Sequence, residues 1–159
     1  MLLHAAYTSL VVECVIMLSQ QQADFFLAEK KEFVQPRVIE LYPGADYARD
    51  LLGLLSNEEF LLDVSVGKRG RLKVKYQTRG RRIVILARLD VNGSTHRNPD
   101  GQLIGRDHIH FYREGYGDKW AYPLEELSNV DTADFPDVLA WFMQRCGIRN
   151  SPPIQEALQ

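Results

Sequence analysis

Cysteine is nearly missing from this chain: 159 residues hold two, Cys14 and Cys146. They lie far apart and make neither a metal-binding spacing nor a disulfide framework, so a reducing, cytoplasmic setting and no disulfide are expected. The familiar chemical signatures are missing too. There is no P-loop, no G-x-G-x-x-G after a strand, no G-x-S-x-G, no C-x-x-C and no H-E-x-x-H. ATP hydrolysis, dinucleotide binding and motif-borne zinc chemistry are therefore not expected, and no cofactor is implied. The apolar run Thr8 to Leu18 is too short for a membrane span. It contains Glu13, follows no Lys or Arg and runs into Ser19-Gln20-Gln21-Gln22, which argues against a secretory leader and against a membrane partner.

Acidic residues are missing from one long stretch. No Asp or Glu lies between Asp63 and Asp90, while nine of the 19 Lys and Arg do: Lys68, Arg69, Arg71, Lys73, Lys75, Arg79, Arg81, Arg82 and Arg88. The formal net charge of −2 thus hides a two-sided molecule, with acids gathered in 118–137. Such a density of one sign attracts phosphate backbones. A solvated sheet face, or a face for an acidic protein, is the plainer alternative. Tyr76 and Tyr47 are candidate stacking surfaces.

The length and an apolar fraction of 45% predict one globular domain. Met17 opens a more ordinary protein than Met1 does. Residues 1–16 are therefore expected to be an over-called start or a peripheral element, 17–148 the domain, and 149–159, with Pro152-Pro153, a flexible tail. Ser19 caps a helix running to about Glu32. Pro36 limits Val34 to Leu41 to an edge strand or irregular chain. Tyr47 to Leu55 fits strand or helix, and Gly53 favours strand. Phe60 to Val66, Arg71 to Thr78 and Arg82 to Val91 predict an antiparallel meander, the last strand apolar on both faces. Asn92 to Arg106 is a long polar connection with two turn signals. His108 to Arg113 and Lys119 to Leu124 predict two more strands. Asp134, Pro136 and Gly147 frame a final helix. The fold class expected is α+β: a mostly antiparallel sheet of five or six strands with an N-terminal and a C-terminal helix packed on it.

Alternation puts His108, His110 and Tyr112 on one strand face, with His96 in the connection before them. Three chemistries fit these side chains. Two imidazoles can serve as acid and base in metal-independent RNA cleavage, with Lys119, Arg106 or Arg113 holding the phosphate. H-x-H can also bind a metal, with His96 or Asp107 completing the set. The third option is structural. Asp118-Lys119-Trp120, with Tyr116 and Tyr122, forms either a glycine-bounded hairpin anchored by Trp120 or a stacking cradle.

The stretches His96-Arg97-Asn98-Pro99-Asp100-Gly101 and His108-Ile109-His110-Phe111-Tyr112-Arg113-Glu114-Gly115-Tyr116-Gly117-Asp118-Lys119-Trp120-Ala121-Tyr122-Pro123 resemble a family of small uncharacterised bacterial and prophage-associated proteins. That family shows an H-x-N-P-D-G loop followed by H-x-H-x-Y-x-E-G-x-x-D-K-W-A-x-P. The resemblance spans roughly Met17 to Leu124 and implies a mobile-element or phage-defence setting, with no established activity. The functional expectation is an RNA-binding protein with endoribonuclease activity. His108, His110, Tyr112 and Lys119 would be catalytic, and Lys68, Arg69, Arg71, Lys73, Lys75, Arg79, Arg81, Arg82 and Arg113 would bind nucleic acid. No metal is expected, and His96, His108 and His110 are its ligands if there is one. The alternative is a non-catalytic interaction protein, such as a phage-encoded inhibitor of a host defence complex.

Overall fold

A computed structural model describes residues 17–157. The expectation for residues 1–16 lies outside them. Helix α1 spans Gln20–Ala28 and opens with a capping box: the Ser19 hydroxyl accepts from the Gln22 amide, and the Gln22 side chain accepts from the Ser19 amide. It stops four residues before Glu32, because Glu29 turns extended and the chain enters β1 (Lys31–Phe33). There follow β2 (Ile39–Leu41), β3 (Asp46–Gly53), β4 (Glu59–Val66), β5 (Val74–Gly80) and β6 (Val84–Val91). Then come β7 (His96–Arg97), β8 (Leu103–Ile104), β9 (His108–Arg113) and β10 (Gly117–Pro123). After a 3₁₀ turn at Leu124–Glu126, helix α2 (Phe135–Arg145) leads into β11 (Ile148–Arg149) and β12 (Ile154–Glu156).

The fold class is α+β, but the sheet is larger than expected. It has eight strands in the order β10-β9-β6-β5-β4-β3-β1-β11, and β1 pairs with β11 in parallel, so it is mixed. Two small pairs, β2 with β12 and β7 with β8, complete the strands described. The described residues after 148, expected to belong to a flexible tail, are paired to the body of the fold. The Ile39 amide donates to the Pro153 carbonyl and the Ala157 amide to the Leu41 carbonyl, so this segment is stitched to β2. The strand expected from Arg71 begins only at Val74. The chain from Gly67 to Lys73 is a loop, closed by the Gly67 amide on the Lys73 carbonyl.

Register gives the sheet two unlike faces. One carries rows such as Val64, Tyr76, Leu89 and Ile109, opposite one another across β4, β5, β6 and β9, and both helices pack on it. Phe26 of α1 meets Phe60 edge-on at 5.4 Å, and the Tyr76 hydroxyl donates to the Phe135 carbonyl at the start of α2. The other face carries Ser65, Lys75, Asp90 and His108 in one row and Asp63, Gln77, Arg88 and His110 in the next. A period-two strand can bury one face and leave the other polar, and that is what places the candidate site outside the core.

Candidate functional site

The H-x-H pair of β9 lies directly across from Arg88 and Asp90 of β6: His110 opposite Arg88, and His108 opposite Asp90. Both imidazoles are locked. His108 Nδ1 is 2.6 Å from the Gly105 carbonyl, and His110 Nδ1 is 2.7 Å from the Asp118 carbonyl. A carbonyl only accepts, so both Nδ1 atoms carry the proton and both Nε2 lone pairs point the other way. They converge on Asp90 Oδ2, which lies 3.7 Å from each. His96 reaches over from β7, its Nε2 2.8 Å from the Lys119 carbonyl and its ring centroid 4.6 Å from that of His110.

Arg88 ties the cluster together. Its guanidinium donates to Asp90 at 3.0 Å and to Asp118 at 2.5 Å, and Nη2 is 2.9 Å from His110 Nε2. Burial, then the positive charge of Arg88, holds the His110 imidazole down to about 3, so it is neutral near pH 7. Around this neutral His110, two carboxylates, Asp90 and Asp118, share the one guanidinium of Arg88.

The site is closed from above by the β7–β8 hairpin. The buried Asn98 accepts from the Ala121 amide and donates to the Ala121 carbonyl. His108 is 3% exposed and His110 0%. Other residues of the two quoted stretches hold structure. Tyr112 accepts from the Leu18 amide and donates to the Leu18 carbonyl, while Glu114 accepts from the Gln20 amide. These bonds dock the start of α1 on β9. Tyr112 is thus committed to the backbone rather than joined to the histidine cluster.

The basic stretch divides into two groups. Four of its cations are neutralised by acids from neighbouring strands or turns: Arg79 by Asp63 through two bonds, Arg81 by Glu58, Arg82 by Asp50, and Arg88 by Asp90 and Asp118. Arg113 lies over the Trp120 ring at 4.3 Å. The remaining five, Lys68, Arg69, Arg71, Lys73 and Lys75, are exposed and make no ion pair among the described residues. They gather on the β4–β5 loop and the first turn of β5. Tyr76 is fully buried and offers no stacking surface, and the half-buried Tyr47 already has the Arg49 guanidinium over its ring at 4.1 Å. Lys119 is exposed beside the cluster, and only its backbone carbonyl touches it.

Asp90 and Arg88 are the members of the site that the sequence reading passed over as site residues. Their signal is visible in retrospect: they are the two charged residues at alternate positions of an otherwise apolar strand. Residues 18–148 match a family model described as a family of unknown function, DUF6978. The chain belongs to that family. Neither a curated protein nor a solved structure matches it. The family extends past Leu124 through α2 to the first residue of β11, so the helix that packs on the apolar face is part of its common unit. No described helix is long and apolar enough to cross a membrane.

Proposed function

We propose that this protein binds nucleic acid through the phosphate backbone, using Lys68, Arg69, Arg71, Lys73 and Lys75. The observation that carries this is the division of the basic stretch. Cations already paired within the sheet have little left to give a phosphate, whereas five that make no ion pair among the described residues share a single loop and strand end. Contacts of this kind release counterions and are sequence-independent. Strand cleavage by a His108–His110 pair is not part of the proposal. His110 is buried, its Nδ1–H is given to a carbonyl and its Nε2 faces the Arg88 guanidinium, so a substrate reaches neither nitrogen while Arg88 is in place.

The test is fluorescence anisotropy of the full chain with labelled single-stranded RNA and DNA over a range of salt. Lys73→Glu/Lys75→Glu should weaken binding at least about tenfold and make the salt dependence shallower by about two in log–log slope. Arg82→Glu, which removes a cation already paired with Asp50, should have the smaller effect. Unchanged affinity in the double reversal, or no binding by the wild-type chain, would sink this function and favour the interaction protein.

A further inference from the structure

The histidine cluster has the form of a metal site with an arginine parked in it. Asp90, His108 and His110 each bring one ligand atom within 4.8 Å of the others, and Asp90 Oδ2 is 3.7 Å from the Nε2 of either histidine. Two ligand atoms each ~2.1 Å from a tetrahedral ion are roughly 3.4 Å apart. The carboxylate-to-imidazole separations of 3.7 Å need only a few tenths of an ångström of closure. Each histidine donates its other ring N–H to a backbone carbonyl, the arrangement that fixes the tautomer and aims a metal-binding lone pair. The carbonyls come from Gly105 and Asp118, so the aim is built into the backbone of the β8–β9 turn and of β10. Two carboxylates, Asp90 and Asp118, share one guanidinium within hydrogen-bond reach.

We propose that Asp90, His108 and His110 bind a divalent transition-metal ion, and that Arg88 is the resident cation it displaces. Two imidazoles and one carboxylate form a borderline nitrogen–oxygen donor set, which favours zinc or cobalt over magnesium or calcium. Arg88 contacts two of the three donor atoms, His110 Nε2 and Asp90 Oδ2, so it and the metal exclude each other. Its bond to Asp118 gives the displaced guanidinium a place to stay. His96 lies alongside, its Nε2 turned to the Lys119 carbonyl, and is outside the converging set. Lys75 of the phosphate-binding group, on β5, lies directly opposite Asp90 of β6, so the two proposals are tested on separate variants and each stands or falls on its own readout.

The experiment uses the full chain, stripped with EDTA and desalted, then titrated with zinc against a chromophoric chelator and with cobalt by visible absorption. About one ion per chain should bind, with cobalt showing ligand-field bands of nitrogen–oxygen coordination. Asp90→Asn should weaken binding at least about tenfold. Arg88→Gln should tighten it, because the competing cation is gone. A purely structural cluster would not show that second effect. Circular dichroism checks that each variant folds. Should a variant fail to fold, ¹⁵N NMR of wild-type histidines decides, since ligation must shift the Nε2 atoms of His108 and His110. Absence of stoichiometric uptake overturns the proposal. So does uptake that leaves those Nε2 resonances in place.

Discussion

The side-chain amide of Asn98 makes both hydrogen bonds to the backbone of Ala121 that a neighbouring strand would have made. Its carbonyl accepts from the Ala121 amide at 2.8 Å and its NH₂ donates to the Ala121 carbonyl at 2.9 Å. β10 is the edge strand of the large sheet, and Ala121 is buried there. Asn98 therefore caps an edge and pins the β7–β8 hairpin over His108 and His110 in one step. Asn98→Ala leaves a buried donor and a buried acceptor unmatched, a loss of about 2–4 kcal/mol. Denaturant melts should show that loss. Hydrogen exchange should speed up in 96–104 and at the Ala121 amide while the core strands stay protected. A uniform change across all strands would count against this role.

Tyr112 and Glu114 do for α1 what Asn98 does for the hairpin. The Tyr112 hydroxyl pairs with both backbone groups of Leu18, and Glu114 and Gln20 exchange bonds through their side chains and amides. Tyr112→Phe removes both hydroxyl bonds and should lower stability by about 1–2 kcal/mol. It should leave nucleic-acid affinity unchanged, since the cationic loop lies elsewhere. A melt and an anisotropy titration on one sample check both halves. Lost affinity with retained stability would place Tyr112 in a binding surface instead.

What could be read from the sequence was local. The capping residues Ser19 and Asp134, the stop at Gly147 and the shared face of His108 and His110 follow from periodicity and cap chemistry. What could not be read depends on which strands become neighbours. Asp90 meets His108 only because the hairpin after β6 swings aside and lets β9 pair with β6. The acid-free stretch looked like open charge because its partners Asp50, Glu58 and Asp63 precede it in sequence and reach it only once β3 and β4 fold back beside β5. The tail looked frayed because β11 and β12 are two and three residues long and pair with strands more than 100 positions earlier.

Gly147 is the residue where backbone geometry leaves no alternative. Its φ is +71°, and a Cβ there would stand 2.3 Å from the Glu29 carbonyl oxygen. The approach is needed because the Gly147 carbonyl accepts from the Lys31 amide, starting the parallel β1–β11 pair. Gly147→Ala should cost about 3 kcal/mol or more, from left-handed strain plus backbone displacement. That corresponds to a fall of roughly 6–12 °C in Tm. Gly105→Ala, where a Cβ meets nothing within 4 Å, is the control and should stay within about 0.5 kcal/mol. Equal effects at the two positions would refute the steric account.

Lys31 gives the fold a pH dependence of its own. It is 0% exposed, and its ammonium donates to the carbonyls of Leu27, Glu29 and Cys146, gathering the C-terminal ends of both helices. Burial lowers its pKa from 10.5 to about 8, opposed in part by Cys146 and Glu29. Between pH 8 and 10.5 the unfolded chain therefore binds more protons at this group than the folded one does, so its contribution to stability rises with pH. Burial pushes the neighbouring Cys146 thiol the other way, from 9.0 up to about 12, so above pH 9 its contribution falls as pH rises. Stability should climb from pH 8 to 9 and then flatten. Lys31→Met should abolish the climb, and Cys146→Ala should let it continue toward pH 10.0, where the Tyr47 and Tyr76 hydroxyls, both raised by burial, begin to oppose it. Urea melts at half-unit steps from pH 7.5 to about 10.5 would show it. A wild-type profile parallel to that of Lys31→Met throughout would mean that the buried ammonium keeps its ordinary pKa, held by its three carbonyls.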